Sequence, residues 1–379
     1  MLAKTPPMGF NTWNTFGSRI DERLVLETAD AMVDQGLLQA GYEYLVIDDC
    51  WSEYLRDPAT QRLVPHHEKF PHGMKAVADY VHGKGLRFGM YSCCGLRTCG
   101  DYPGSFDHEF LDAQTFAEIG VDYLKYDNCY HPASVDGPTL YRRMGMALRA
   151  TGREILFSAC NWGEEDVWSW IRSTGANMYR STGDIFDNAE SYRNIVRSQM
   201  DKLGASAPGC FNDMDMLTVG MCGKGNVGMP GCTDADYRSQ FSLWCMFSSP
   251  LMLGCDVRCL QPQIRALVTN PRLIAINQDE EARPPIFLQN EFNRQREGKL
   301  VCLKFLADGR YALGLFNLNA EEQELFAMFT DAGLTAASGL GLRLQDAFTG
   351  EDAGFYREYF RVKVPAHDCA VYLATLEKA

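Results

Sequence analysis

The sequence lacks the features that membrane helices and nucleic-acid-binding surfaces require. No apolar run approaches the ~20 residues that cross a bilayer, so no membrane span is predicted. Lys and Arg number 36 against 49 Asp and Glu, whereas binding to phosphates requires clustered basic residues. We therefore expect no nucleic-acid partner and a neutral or cationic ligand instead. Residues 1–7 have no apolar signal core behind Lys4, which predicts a cytoplasmic protein.

Histidine is scarce as well, and the cysteines do not have metal-binding spacing. The seven histidines are spread along the chain. Cys93, Cys94 and Cys99 form a cluster, but no CxxC pair followed by a second pair surrounds them. Most of the fourteen cysteines lie in apolar stretches and are predicted to be small buried hydrophobic residues. We expect no metal and no cofactor.

The 379 residues suffice for a large core, and the first 280 alternate short apolar runs with longer segments of helical period. This alternation is typical of a parallel α/β sheet. The strand candidates are residues 8–13, 44–48, 86–92, 121–126, 155–160, 177–180, 211–216 and 250–254. Eight strands in one domain predict a closed (β/α)8 barrel, or TIM barrel. Helices are predicted at 23–33, 74–82 and 112–119, each followed by a glycine near its end.

The character of the sequence changes near residue 280, where EEARPP at 280–285 forms a polar, proline-bearing joint. Asp308-Gly309 is a strong hairpin signal between two apolar runs. The β-rich runs beyond the joint are residues 300–305, 311–317, 322–329, 342–348, 358–364 and 370–375. We predict a catalytic barrel over 1–280 and an antiparallel β-sandwich domain over 281–379.

A barrel would bring the polar residues at its strand tips into one pocket, because such folds build their sites at the C-terminal ends of the strands. These residues are Trp13, Asp48, Asp49, Tyr91, Cys93, Lys125, Asp127, Cys129, Cys160, Asn161, Trp162, Arg180, Asp184, Asp213 and Asp215. Six carboxylates in one pocket repel each other unless a cation or polar ligand compensates. Taken singly, Asp49 could cap a helix and Asp184 could pair with Arg180. Together, carboxylates mixed with Trp and Tyr indicate a sugar site.

Two acids in such a pocket can cleave a glycosidic bond, one as nucleophile and the other as proton donor, and a spacing of about 5 Å would give retention of configuration. Asp127 is the first candidate. Lys125 faces the same side of an extended strand, so its charge is expected to keep Asp127 ionised. Asp184 is the candidate acid, with a pKa raised by burial against substrate. A Schiff-base role for Lys125, as in aldolases, would require a desolvated lysine without acidic neighbours.

Residues 223–228 match the letters of the dinucleotide motif GxGxxG. They neither follow an apolar strand directly nor open a helix, so nucleotide binding is disfavoured. We expect the loop from Cys222 to Cys232 to line the substrate site or to join a subunit contact in a homo-oligomer.

Five motifs carry a family resemblance: TPPMGFNTW at 5–13, IDDCW at 47–51, LKYDNC at 124–129, RSTGD at 180–184 and NDMDM at 212–216. They resemble, in the same order, the motifs of glycoside hydrolase family 27 of clan D, the α-galactosidase and α-N-acetylgalactosaminidase family. The resemblance covers the first ~280 residues, and the β-rich tail is similar to the second domain of the family.

The resemblance implies a retaining exo-glycosidase that releases terminal α-linked D-galactose from oligosaccharides or glycoconjugates. Asp127 matches the family nucleophile and Asp184 the acid/base. It also implies a disulfide between Cys99 and Cys129, which would be unusual in a cytoplasmic protein. The implied substrate-binding residues are Trp13, Asp48, Asp49, Tyr91, Cys99, Lys125, Cys129, Cys160, Asn161, Trp162, Arg180 and Asp215.

Two positions depart from the family pattern. Met214 replaces a common proline, which should only loosen a turn. Asn161 stands where many α-galactosidases have Glu and animal N-acetylgalactosaminidases have Ser, in a slot facing the sugar 2-substituent. An α-N-acetylgalactosaminidase or a β-L-arabinopyranosidase on the same scaffold therefore stays an alternative, although Trp162-Gly163 favours galactose. A catalytically inactive galactose-binding protein is expected to have lost Asp127 or Asp184, and both are present.

Overall fold

The computed structural model describes residues 2–288 and 298–378 and begins with an eight-stranded parallel sheet. Its strands are β1 (Met8–Asn11), β2 (Tyr44–Val46), β3 (Arg87–Cys93), β4 (Tyr123–Asp127), β5 (Leu156–Cys160), β6 (Met178–Arg180), β7 (Phe211–Asp213) and β8 (Leu251–Leu253). They are ordered β7-β6-β5-β4-β3-β2-β1-β8. Leu217, just after β7, makes a parallel bridge to Leu253 of β8, so the sheet closes into a barrel.

Helices follow the barrel strands along the chain. They are α1 (Trp13–Phe16), α2 (Glu22–Asp34), α3 (Leu37–Ala40), α4 (Gly73–Gly83), α5 (Glu109–Ile119), α6 (Gly137–Ala150), α7 (Ala189–Gln199), α8 (Asp234–Met246), α9 (Pro262–Val268) and α10 (Pro271–Asn277). Side chains fix several of their starts, because Asp21 accepts from Leu24 N and Thr233 forms a capping box with Asp236. Within the described ranges no helix has the length and apolar character that a membrane crossing needs.

The barrel interior is packed with side chains. Tyr44, Tyr123, Met178, Phe211 and Met252 form a buried cluster inside it, with the rings of the two tyrosines 5.4 Å apart. A separate, larger cluster lies between strands and helices. Side chains fill the lower barrel, and folds of this kind build their sites at the C-terminal ends of the strands.

The C-terminal region consists of antiparallel strands, β9 (Ile286–Phe287), β10 (Lys299–Phe305), β11 (Tyr311–Asn317), β12 (Gln323–Met328), β13 (Leu340–Asp346), β14 (Asp352–Tyr356), β15 (Tyr359–Val364) and β16 (Cys369–Lys378). Six form one sheet in the order β14-β13-β16-β11-β10-β9, and β12 pairs with β15. Leu303 and Leu313 of the larger sheet share a core with Leu325 and Phe360 of the pair. The two layers form a β-sandwich.

The sandwich packs on the barrel through the other face of its larger sheet. Leu300 and Cys302 of β10 belong to the barrel core cluster, as expected from the two-residue period of a strand. Lys304, two residues further on, is fully buried and donates to Ser248 Oγ and to the Ile276 carbonyl, both at 2.7 Å. Burial lowers the pKa of Lys304 to about 8. A buried cation thus joins the two units.

The predicted fold class is confirmed: a (β/α)8 barrel with a C-terminal antiparallel sandwich. All eight predicted barrel strands overlap observed ones, and β1, β2, β7 and β8 end earlier than predicted on the side of the site. The short strands β9 and β14 were not predicted, because neither presents an alternating apolar pattern. The predicted division of the chain at residue 280 stays a prediction.

Candidate active site

Polar groups at the tips of five neighbouring strands lie at one level of the barrel. The strand register pairs Cys93 with Asp127, Asp127 with Cys160, Cys160 with Arg180 and Arg180 with Asp213. Since parallel strands in register end at the same height, the tips of these strands form the floor of one site.

A cavity of about 230 Å³ opens above this floor. Its volume is below the ~300–1,000 Å³ of pockets for drug-sized ligands, so it fits a single small ring. Eleven of the predicted site residues line it: Trp13, Asp48, Asp49, Tyr91, Cys99, Lys125, Asp127, Trp162, Arg180, Asp184 and Asp215.

Asp127 is buried at the centre of the cavity and 6% exposed. Its Oδ1 accepts from Asn128 N and its Oδ2 from the Tyr91 hydroxyl, both at 2.9 Å. Burial raises the pKa of Asp127 above its ordinary value, even though the charges of Lys125 and Arg180 act to lower it. The charge of Lys125 thus acts in the expected direction, although the loss of water outweighs it, and the expectation that Lys125 keeps Asp127 ionised stays a prediction.

Lys125 is held mainly by Asp48. Asp48 Oδ2 accepts from Lys125 Nζ at 2.8 Å and from Asn11 Nδ2 at 2.7 Å, while Oδ1 accepts from Asp49 N at 2.9 Å. Burial alone would lower the pKa of Lys125, but Asp48 holds it well above the ordinary value. A lysine that stays protonated is a poor Schiff-base nucleophile, which argues against the aldolase alternative.

Asp49 is fixed by backbone groups from two loops. Its Oδ1 accepts from Cys50 N and its Oδ2 from Gly100 N, both at 2.7 Å. Burial raises the pKa of Asp49 to about 6, although these two hydrogen bonds lower it. The carboxylate is thus oriented toward the cavity by donors that cannot move independently of the loops.

Arg180 bridges two carboxylates at the other side of the cavity. Its Nη1 lies 2.9 Å from Asp215 Oδ1, and its Nη2 donates to Asp184 Oδ1. The Asp184 side chain is 63% exposed. Partial burial raises the pKa of Asp184, but the charge and hydrogen bond of Arg180 outweigh this and hold it below the ordinary value. In the open site Asp184 therefore lacks the raised pKa expected of a general acid.

A second cavity of about 20 Å³ lies beneath the first and is lined by Cys160 and Asp213. Burial and the neighbouring Asp215 raise the pKa of Asp213 to about 7. Asp213 Oδ1 accepts from Asp215 N at 2.9 Å, so it supports Asp215 from below. Cys160 and Asp213 are therefore placed under the main cavity and not on its wall.

Three residues at the strand tips have left-handed backbone angles, which L side chains adopt at a cost. They are Cys50 (φ 71°), Trp162 (φ 62°) and Asp215 (φ 79°). Such conformations concentrate at functional sites, where the surrounding structure holds them in place. Trp162 and Asp215 themselves line the cavity, and Cys50 follows Asp49, which also lines it.

Cys99 and Cys129 form the disulfide implied by the resemblance, with their Cα atoms 5.3 Å apart. Cys99 lines the cavity, whereas Cys129 is buried behind it. Asn161 is also buried and does not line the cavity, and its Oδ1 has no hydrogen-bond partner. The substrate contacts of Cys129, Cys160 and Asn161 stay predictions.

Six further residues line the cavity: Asn226 and Val227, and four that the sequence did not indicate, which are Asn14, Ile185, Phe186 and Met216. Asn226 and Val227 belong to the loop from Cys222 to Cys232, which was expected to line the site or to join a subunit contact. This loop is tied to α1, because Val227 N donates to the Asn14 carbonyl at 3.1 Å. The apolar residues Ile185 and Phe186 follow Asp184 and gave no periodic signal.

Two groups of possible metal ligands occur among residues 2–288 and 298–378. Cys99, Asp127 and Cys129 form one, but both sulfurs are used in the disulfide. Glu53, His66 and His67 form the other, and Glu53 Oε1 lies 2.6 Å from His67 Nδ1. None of the second group lines the cavity.

The family profile described as "Alpha galactosidase A" matches residues 5–279, and that of "Alpha galactosidase C-terminal beta sandwich domain" matches residues 300–374. The chain belongs to the α-galactosidase family, glycoside hydrolase family 27. An α-galactosidase of this family from Cyamopsis tetragonoloba is 40% identical over 375 residues, covering 99% of this chain and 87% of the relative.

Solved structures of family members share the whole architecture. α-Galactosidase I from Mortierella vinacea superposes with a TM-score of 0.90 at 32% identity, covering 99% of this chain and 98% of that one. An α-galactosidase from Saccharomyces cerevisiae, solved with raffinose, superposes with a TM-score of 0.88 at 28% identity and the same coverage. The barrel and the sandwich are therefore both parts of the family fold.

Proposed function

We propose that this family member hydrolyses terminal α-linked D-galactose by a retaining double displacement, with Asp127 as nucleophile and Asp184 as acid/base. The observation that carries the proposal is that both carboxylates line one cavity of about 230 Å³, sized for one sugar ring. Curated α-galactosidases at 40% identity over nearly the whole chain support the activity.

In the first step, a carboxylate oxygen of Asp127 forms a bond to the anomeric carbon while the bond to the leaving oxygen breaks. Asp184 gives its proton to that oxygen, so the aglycone leaves as a neutral alcohol. In the second step, Asp184 takes a proton from water, the water oxygen bonds to the anomeric carbon, and Asp127 is released. Two inversions give net retention.

The roles assign opposite charge states to the two acids, because Asp127 must be ionised and Asp184 must carry a proton. Asp127 keeps two hydrogen bonds to its carboxylate and two cations nearby, which favour the ionised nucleophile despite burial. Asp184 must hold a proton when substrate is bound. A sugar that displaces water over Asp184 and separates it from Arg180 would raise its pKa, as burial does for other glycosidase acids.

The polar side chains that line the cavity suit the hydroxyls of one galactose unit. Asp48 and Asp49 would accept from the 4- and 6-hydroxyls, with Lys125 beside the 3- and 4-hydroxyls and Arg180 near position 2. The indole of Trp13 would cover the apolar side of the ring. Acceptors at Asp48 and Asp49 would favour an axial 4-hydroxyl, which is what distinguishes galactose from glucose.

The test is a comparison of three nitrophenyl glycosides: α-D-galactoside, α-D-N-acetylgalactosaminide and β-L-arabinopyranoside. We expect preference for the first, and initial release of α-galactose by NMR. Preference for either counterpart would overturn the substrate assignment, and initial β-galactose would overturn retention. Binding of galactose without turnover of any substrate would identify the inactive sugar-binding alternative.

A further inference from the structure

Outside the catalytic cavity, Glu53, His66 and His67 form a compact group of possible metal ligands. One ring nitrogen of each histidine and one carboxylate oxygen of Glu53 all lie within 4.8 Å of one another. Nitrogen and oxygen ligands of one zinc ion lie about 2.0–2.2 Å from the metal, and therefore roughly 3.3 Å from each other. Small side-chain rotations would bring these three atoms onto a single ion.

Backbone hydrogen bonds hold the two segments that carry the ligands side by side. Glu53 N donates to the Val64 carbonyl at 2.7 Å, and His66 N donates to the Trp51 carbonyl at 2.9 Å. Both bonds lie within the loop that joins β2 to α4. The carboxylate and the histidines therefore meet because the backbone pairs, and their approach does not depend on the side chains alone.

A turn brings the two histidine rings together. Neighbouring side chains on an extended strand point to opposite faces. Here the chain turns after His66, since Phe70 N donates to the His66 carbonyl at 2.8 Å. The rings of His66 and His67 stack with their centroids 5.5 Å apart and their planes 12° from parallel. Two consecutive histidines can therefore act on the same ion.

Glu53 completes the group. Its Oε1 accepts from His67 N at 2.9 Å and lies 2.6 Å from His67 Nδ1. Glu68 N lies 3.3 Å from His66 Nδ1, a long contact that a bond from this nitrogen to a metal would replace. The side chains of Glu53 and His67 are 28% and 77% exposed, so an ion can enter directly from solvent.

We propose that Glu53, His66 and His67 bind one divalent transition-metal ion such as Zn²⁺, with water at its remaining positions. Imidazole suits Zn²⁺, Cu²⁺ and Ni²⁺, whereas Mg²⁺ and Ca²⁺ take oxygen ligands. The expectation of no metal rested on the cysteine spacing and on the scarcity of histidine, and two of the seven histidines lie in this group. None of the three residues lines the cavity, so the proposal is independent of the proposed hydrolysis.

The test is calorimetric titration of the metal-free parent with Zn²⁺ at neutral pH, beside His66→Ala and His67→Ala. We expect one ion per chain in the parent, with no competition from excess Ca²⁺. Each variant should bind Zn²⁺ at least about tenfold more weakly, because losing even a group that supports a ligand costs about 10–100-fold in affinity. With one equivalent of Cu²⁺, electron paramagnetic resonance should show coupling to two imidazole nitrogens in the parent and to one in either variant.

His72→Ala is the matched control. His72 Nδ1 lies 2.7 Å from Glu22 Oε1, a pair of the same kind as that of His67 and Glu53. Within the described ranges, no further His, Cys, Asp or Glu joins this pair to make a group of three. The Zn²⁺ affinity of His72→Ala should therefore equal that of the parent.

The proposal is overturned if the parent binds no Zn²⁺, or if both His66→Ala and His67→Ala bind it as tightly as His72→Ala does. It is equally overturned if Cys259→Ser, which removes an exposed thiol, abolishes binding. Hydrolysis of nitrophenyl α-galactoside is measured on the same preparations. Its absence in the parent would reject the proposed function and leave the metal site unaffected.

Discussion

Asp127→Asn and Asp48→Asn make a matched pair of variants. We expect Asp127→Asn to lose activity alone, and Asp48→Asn to lose both activity and stability. Both residues are buried acids in the same cavity, and both substitutions remove one negative charge at nearly constant volume. They differ in what surrounds the carboxylate. The comparison therefore separates a charge held for chemistry from a charge that the fold depends on.

At Asp127 an amide can replace the carboxylate without a lost contact. The amide oxygen can still accept from Asn128 N, and the amide nitrogen can donate to the Tyr91 hydroxyl, which can accept as well as donate. Because burial raises the pKa of Asp127, ionising it is less favourable in the folded than in the unfolded chain. We expect the free energy of unfolding to change by no more than about 1 kcal/mol.

At Asp48 every orientation of an amide places a donor against a donor. Oδ2 accepts from Lys125 Nζ and Asn11 Nδ2, and Oδ1 accepts from Asp49 N. The variant also leaves the Lys125 ammonium buried, with its side chain 12% exposed, beside a neutral partner. Breaking a buried pair in this way costs about 3–5 kcal/mol, so Asp48→Asn should unfold at a clearly lower urea concentration.

Activity and stability are measured on the same preparations. Removal of the nucleophile should lower kcat on nitrophenyl α-galactoside by about 10⁵-fold, the scale known for loss of a covalent nucleophile. Unfolding in urea, followed by fluorescence, gives the midpoint and slope for each variant. Substantial activity in Asp127→Asn would show that Asp127 is not the nucleophile, and destabilisation as large as that of Asp48→Asn would show that the fold depends on both charges.

Two further outcomes follow from the acid and from the domain joint. Asp184→Ala should hydrolyse raffinose about 10²–10⁴-fold more slowly than the parent. It should release dinitrophenol from an activated galactoside nearly as fast as the parent in the first turnover, because that leaving group needs no proton. Equal losses on both substrates in a rapid-quench assay would contradict an acid role for Asp184. For Lys304 the folded pKa of about 8 lies below its ordinary 10.5, so the unfolded chain binds the proton between these values. Between pH 7.5 and 10.5 the free energy of unfolding of the parent should therefore rise by about 3 kcal/mol relative to that of Lys304→Met. The free energies are measured by urea titration at each pH. If they change with pH in parallel for the two proteins, the buried lysine does not titrate as described.

The strand tips could be predicted from the sequence because the barrel itself decides which residues meet. Once β4 and β6 are recognised, Asp127 and Arg180 must lie at the same end of the sheet, whatever the loops do. Their apolar neighbours could not be found in this way. Ile185 enters the cavity wall because its N–H donates to Asp215 Oδ2 at 2.8 Å, a contact between two loops that no sequence period encodes.

The pKa shifts of the acids could not be predicted from the sequence, for a different reason. Adjacency along a strand identified Lys125 as a partner of Asp127, but its closest carboxylate is Asp48, 77 positions earlier. The depth of burial, which raises the pKa of Asp127, is set by the whole packed site. The spacing of residues along a strand therefore indicates which charges lie near each other, but it does not show which effect determines the pKa.

The disulfide beside the cavity makes correct cysteine pairing a condition for making this protein. Cys93 Sγ donates to the Cys129 carbonyl at 3.0 Å, so a free thiol lies next to one of the bonded cysteines. Thiol exchange proceeds through attack of a thiolate on the existing bond, and burial raises the pKa of the Cys93 thiol in the folded chain, so exchange is expected before the site has folded. During oxidative refolding, a chain that joins Cys93 in place of Cys99 would leave the loop around Cys99 unattached. The yield of active protein should then depend on the thiol buffer used.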